Sequence, residues 1–87
     1  MYEIILSKKA LSFYQQTNKK NARILNRCFE NITKTPTAHP NIKKLHGSYE
    51  GSLRYRVGKL RIIYSIDEIN KIVYVELIVS RESAYKH

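Results

Sequence analysis

Residues 52 to 65, SLRYRVGKLRIIYS, admit very few structures. On both sides of Gly58-Lys59 the side chains alternate with a period of two, which is the period of a strand. Leu53, Tyr55 and Val57 fall on one side, and Arg54 and Arg56 on the other. After the turn, Leu60, Ile62 and Tyr64 alternate with Arg61 and Ile63. If Gly58 supplies the positive φ of a two-residue type II′ turn, Val57 pairs with Leu60 and Arg56 stands opposite Arg61. Like charges facing each other across a ladder destabilise it. Three guanidinium groups on one sheet face are therefore not there for folding. They suit an anion, because a planar fork grips phosphate or carboxylate oxygens in pairs.

The chain of 87 residues is long enough for one domain with a modest core, and the expectation is a single domain over 1–87. Its formal net charge of +9 draws it to phosphate polyanions or to an acidic protein. Residues 1–47 hold nine Lys or Arg and two Glu, and residues 48–87 hold seven basic and five acidic residues. The first half supplies most of the general attraction, whereas the second half has its arginines at strand spacing and reads as a site. No apolar run approaches the roughly 20 residues of a membrane helix, so no membrane partner is expected. The order of MYEIILSKK, apolar before basic, is the reverse of a signal peptide, which makes the cytoplasm the expected compartment. Cys28 is the single cysteine, so no internal disulfide forms. His39, His46 and His87 lack metal-ligand spacing, and neither a metal nor another cofactor is expected.

Taken in order, Tyr2 to Leu6 alternates as a short outer strand. Ser7 caps a helix running from Lys8 to about Gln16 that gathers Ala10, Phe13 and Tyr14 on one side. Ala22, Leu25, Cys28, Phe29 and Ile32 form a continuous apolar stripe on a second helix from Lys19 to Lys34, with Lys19, Lys20, Arg23 and Arg27 facing away. Thr35-Pro36 ends it. Residues 36–51 contain both prolines and no sustained period, and read as a long connection anchored by Leu45. Lys43 and Lys44 fall beside the arginine face. A strand from Lys71 to Ser80 places Val73, Val75, Leu77 and Val79 toward the core. With Ile66 opposite Lys71, Arg61 faces Glu76 and Ile63 faces Tyr74. In a helical turn after the strand, Arg81 and Tyr85 share a face.

The resulting architecture is α+β: an N-terminal strand, a two-helix hairpin, and a three-stranded antiparallel meander completing a four-stranded sheet, with the helices on one face. Leu45-His46-Gly47 fits an "L-x-G" pattern before the sheet. Tyr55-Arg56-Val57-Gly58 through Arg61-Ile62-Ile63-Tyr64, with Arg54 before them, falls on "Y-R-x-R-V-G-x-x-R-I-I-Y" at every position but the first, which is Leu53, and Arg81 to Tyr85 fits "R-x-x-x-Y". In these motifs, in their order and across the whole chain, the sequence resembles the RelE/ParE superfamily of toxin-antitoxin systems. In the RelE branch the resemblance implies an endoribonuclease that enters the ribosomal A site, cuts mRNA through attack of a 2′-hydroxyl to leave a 2′,3′-cyclic phosphate, and thereby inhibits translation. It also implies an acidic antitoxin as cognate partner, beside mRNA and the ribosome.

The roles carried over by that resemblance give Tyr85 as general base, Arg81 and Arg61 on the phosphate, and Arg54 and Arg56 as basic residues of the second strand. Lys43, Lys44 and Lys59 would hold the RNA backbone. The sequence departs from well-known ribonucleases of the branch at Arg54 and Arg56, where those have lysine. Guanidinium effectively does not give up its proton, so arginine here favours charge stabilisation over proton transfer. The general acid is then open among Arg81, Lys44 and Lys59. Two other readings stand beside the nuclease: a ParE-like inhibitor of DNA gyrase without nuclease chemistry, and an RNA-binding module in which tyrosines stack bases.

Overall fold

The chain alternates between short-period and helical patterning, and each switch is marked by a capping residue. In the computed structural model, which describes residues 1–81, β1 (Glu3–Leu6) is followed by α1 (Lys8–Gln16) and α2 (Lys19–Lys34). Three further segments, β2 (Ile42–Lys44), β3 (Leu53–Val57) and β4 (Leu60–Asp67), lead to β5 (Ile72–Ser80). Ser7 caps α1 by accepting from the Ala10 amide at 3.0 Å, and Asn18 caps α2 by accepting from the Asn21 amide at 2.7 Å. Among the described residues, no helix is long and apolar enough to cross a membrane.

The expected α+β architecture is present, with one strand more than the sequence suggests. The sheet has five strands in the order β1-β5-β4-β3-β2. β1 pairs with β5 in parallel, and the other pairings are antiparallel. The added strand is β2, three residues within the stretch expected to be a plain connection. Its neighbours tie it in: the Arg56 amide donates to the Asn41 carbonyl at 3.1 Å and the Leu45 amide to that of Ser52 at 3.0 Å. Ile42, rather than the expected Leu45, is the residue of this segment that packs against the core.

The core lies between the helices and one sheet face. Leu25, Cys28 and Ile32 of α2 and Ala10 of α1 meet Tyr55, Ile62, Tyr64, Val73, Val75 and Ile78. Tyr64, 0% exposed at the centre, donates its hydroxyl to the Pro36 carbonyl at 2.6 Å and so ties the connection after α2 to the sheet. Tyr64→Phe leaves that carbonyl without its donor. It is expected to cost about 1 kcal/mol in urea unfolding, with the slope of the transition unchanged.

The β4–β5 register differs from the expected one. Ile66 pairs with Val73, not Lys71, and the turn is closed by Asp67, whose Oδ1 accepts from the Ile69 and Asn70 amides at 3.1 and 3.0 Å. Farther along, Tyr64 pairs with Val75 while Ile63 pairs with Leu77, so Glu76 is an extra residue, a β-bulge. The bulge moves Ile78 into the core and turns Leu77 and Val79 to the open face, correcting the expectation that both point inward. Two serines hold it: Ser7 Oγ donates to the Glu76 carbonyl at 2.7 Å, and Ser52 Oγ to the Glu76 carboxylate at 3.0 Å. Arg61 consequently stands opposite Val79, and Glu76 is engaged by Ser52 instead of orienting it.

Candidate functional site

The β3–β4 hairpin forms as its alternation requires. Gly58 has φ +57°, and Val57 pairs with Leu60 and Arg56 with Arg61. Tyr55, Leu53, Ile62 and Tyr64 fill the helix side, which forces Arg54, Arg56 and Arg61 to the open side. Lys43 joins them because it pairs with Arg54 across β2 and β3. Four cations therefore occupy neighbouring positions on one half of the open face. The other half, toward β1, is apolar, with Ile63, Leu77 and Val79 beside the arginines and the exposed pair Ile5 and Tyr74 beyond.

Pro40, Asn41, Lys43, Arg54 and Arg56 enclose a cleft of about 220 Å³ on the basic half. Arg54 Nε is buried there without a hydrogen-bond partner among the described residues. A buried guanidinium N–H without a partner is unfavourable, and an anion oxygen in the cleft would satisfy it. The cleft wall is fixed through His39, whose Nδ1 accepts from the Asn41 amide at 3.1 Å and whose ring lies 4.9 Å from that of Tyr55. His39 is thus a half-buried structural residue and not a solvent-exposed one.

The predicted site residues divide. Arg54, Arg56, Arg61 and Lys43 share the face. Lys44 pairs with Leu53 and lies on the other side of β2, beside a separate cavity of about 380 Å³ with His46, Glu50 and Gly51. Lys59 sits in the hairpin turn, where its carbonyl accepts from the Arg81 amide at 2.7 Å. That bond brings the start of the C-terminal segment to the tip of the hairpin carrying Arg56 and Arg61. Tyr85 lies outside the described residues. Asn41 and Pro40, which sequence reasoning missed, enter the cleft only because β2 pairs with β3; the weak signal for them was the Ile42–Lys44 alternation after Pro40-Asn41.

Cys28 is 2% exposed, and burial pushes its thiol from 9.0 up to about 11, with the Arg27 charge opposing. It belongs to the core and not to the chemistry. At pH 8 it is expected to react with iodoacetamide at least about 100-fold more slowly in the folded chain than in urea, from loss of thiolate alone. Because the folded thiol keeps its proton longer than the unfolded one, Cys28 lowers stability as the pH rises from 9.0 toward about 11. Cys28→Ser should flatten that part of the pH–stability profile.

Residues 4–85 match the family model described as ParE toxin of type II toxin-antitoxin system, parDE. A comparison with curated proteins found no match. The fold is similar to that of the RelBE2 toxin-antitoxin complex of Mycobacterium tuberculosis, with a TM-score of 0.78 at 20% identity over 92% of this chain and 98% of that one. It is similar also to the archaeal RelE-RelB complex of Pyrococcus horikoshii, with a TM-score of 0.78 at 22% identity over 92% and 94%. The YoeB/ParE toxin of Agrobacterium tumefaciens gives a TM-score of 0.79 at 18% identity over 90% and 96%.

Proposed function

Since the chain belongs to the ParE toxin family of type II toxin-antitoxin systems, we propose that its toxicity comes from cutting mRNA on the ribosome with the basic half of the open sheet face. One observation carries this reading: Lys43, Arg54 and Arg56 line a cleft beside Arg61, and Arg54 Nε is buried there without a partner among the described residues. In the proposed step, the 2′-oxygen bonds to phosphorus as the bond from phosphorus to the 5′-oxygen breaks. The phosphorane that forms is stabilised by fixed guanidinium groups of Arg54, Arg56, Arg61 and Arg81. Tyr85, the general base that the family resemblance implies, takes the 2′-hydroxyl proton; a cation beside a phenol would favour its phenolate. A lysine ammonium, Lys43 in the cleft or Lys59 at the hairpin tip, can protonate the 5′-oxygen, which guanidinium effectively cannot. Lys44 is left out of this role by its place across β2.

An acidic antitoxin is the proposed partner, in keeping with the +9 charge and with the relatives that were solved as complexes with antitoxins. The protein would act in the cytoplasm. A second reading, inhibition of DNA gyrase without cleavage, is favoured by the ParE name of the matching family model. Inducing the chain in growing bacteria and mapping RNA 5′ ends separates the two. New ends inside translated messages, absent with Arg81→Ala and Tyr85→Phe, are the expected result. Growth arrest with intact mRNA and lost supercoiling would favour gyrase.

A further inference from the structure

The open sheet face changes character along each cross-strand row. One row runs from Lys43 through Arg54 to Ile63 and Leu77, and the next from Arg56 through Arg61 to Val79. A third passes from Ser65 through Tyr74 to Ile5, the last two 39% and 44% exposed. Cations thus give way, one strand on, to an apolar strip. The bulge at Glu76 makes the strip, since an unbroken alternation would bury Leu77 and Val79 beside Val73 and Val75. Bulges next to sites of chemistry re-aim side chains. Here Ser7 and Ser52 hold the bulge while it turns aliphatic groups to the open face, which is unfavourable until something covers them.

Charge and spacing select the occupant. A nucleotide carries an anionic phosphate and a planar base one ribose apart, and neighbouring strands lie about 4.8 Å apart. A phosphate on the arginines therefore brings its base over the strip. Adjacent rows are two residues, about 7 Å, apart along the strands. That is twice the roughly 3.4 Å step between stacked nucleotides, so bases laid over these rows leave one another and stack on the protein. A second copy of the chain would instead set its own arginines against these, with +9 on each partner. We propose that the strip is a nucleobase platform: with RNA phosphates on the arginines, one base lies across Ile63 and Leu77 and the next stacks on Tyr74. The proposal rests on the nuclease reading and adds to it how the message is laid out beside the cut. Stacking accepts any base, so the platform grips RNA without reading its sequence.

The test uses the full chain and ribosomes programmed with a short mRNA. Tyr74→Thr, which keeps a β-branched residue in the strand, is expected to raise KM about 10-fold, the usual worth of one stacked base, and to change kcat less than about 3-fold. Tyr74→Phe, which keeps the ring, should restore the wild-type KM. An abasic nucleotide placed in turn at each position around the cut should reproduce the loss at one position. There Tyr74→Thr should add nothing, because a contact already removed from one side is not lost twice. With 5-iodouridine at that position in a 2′-O-methyl message, which blocks attack, irradiation should join the base to Tyr74. A Tyr74→Thr variant that cleaves like the wild type, or that loses the same factor on intact and abasic messages, overturns the platform and leaves the nuclease reading standing. So does a bound message that forms no adduct at Tyr74. Unchanged cleavage with weakened binding of the antitoxin encoded beside the toxin assigns the strip to protein instead. If the wild type leaves the message uncut, the nuclease reading falls and the platform with it.

Discussion

Arg61→Ala is expected to slow cleavage of translated mRNA by about 10²–10³-fold, the usual effect of removing one preorganised charge-stabilising donor. Stability should not fall with it. Arg61 faces Arg56 across the ladder, and among the described residues neither makes an ion pair that the substitution would break. Relieving a like-charge pair should leave the urea midpoint unchanged or raise it by a few tenths of a kcal/mol. Arg54→Ala is expected to behave similarly, because it removes a buried N–H that has no partner among the described residues. Activity that falls while stability holds is the signature of residues kept for a ligand. If both variants instead unfold more easily and cleave at the wild-type rate per folded molecule, these arginines serve the fold.

The second large effect is in the core. Leu25 is 0% exposed in the α2 stripe, packed where both helices meet the sheet. Leu25→Ala is expected to cost about 2–5 kcal/mol. A domain of this size has only about 4–13 kcal/mol in total, so a large share of the variant should be unfolded near its growth temperature. Thermal unfolding by circular dichroism measures this directly. Toxicity should be lost through abundance, and the residual folded fraction should cleave RNA normally.

The hairpin was legible in the sequence because its alternation and its Gly58-Lys59 turn act locally and agree with each other. That agreement set Arg56 opposite Arg61 before any tertiary contact was considered. β5 was different. In KIVYVELIVS nearly every residue suits either face, so the period of two has no fixed phase. The phase is set by the bulge at Glu76, and the bulge is held by Ser7 and Ser52, both distant in sequence. No local pattern announces it.

β2 was hidden for a related reason. Three residues between two prolines and two glycines give too short a run to read, and their pairing with β3 comes from the sheet edge and not from their own propensity. That pairing decides the roles of two adjacent lysines: Lys43 joins the cleft, and Lys44 turns away from it. Residue types alone treated them as equivalent. Of the candidate site, then, the arginine row followed from the sequence, the cleft required the fold, and Tyr85 rests on the family resemblance.

The central claim is that the basic face performs the transesterification. It is tested most directly with purified toxin and ribosomes programmed with a short mRNA, in excess EDTA, by analysing the ends of the products. The account predicts a 2′,3′-cyclic phosphate on one fragment and a 5′-hydroxyl on the other, with both lost in Arg54→Ala/Arg61→Ala. Uncut mRNA, or cleavage leaving a 5′-phosphate, would contradict it.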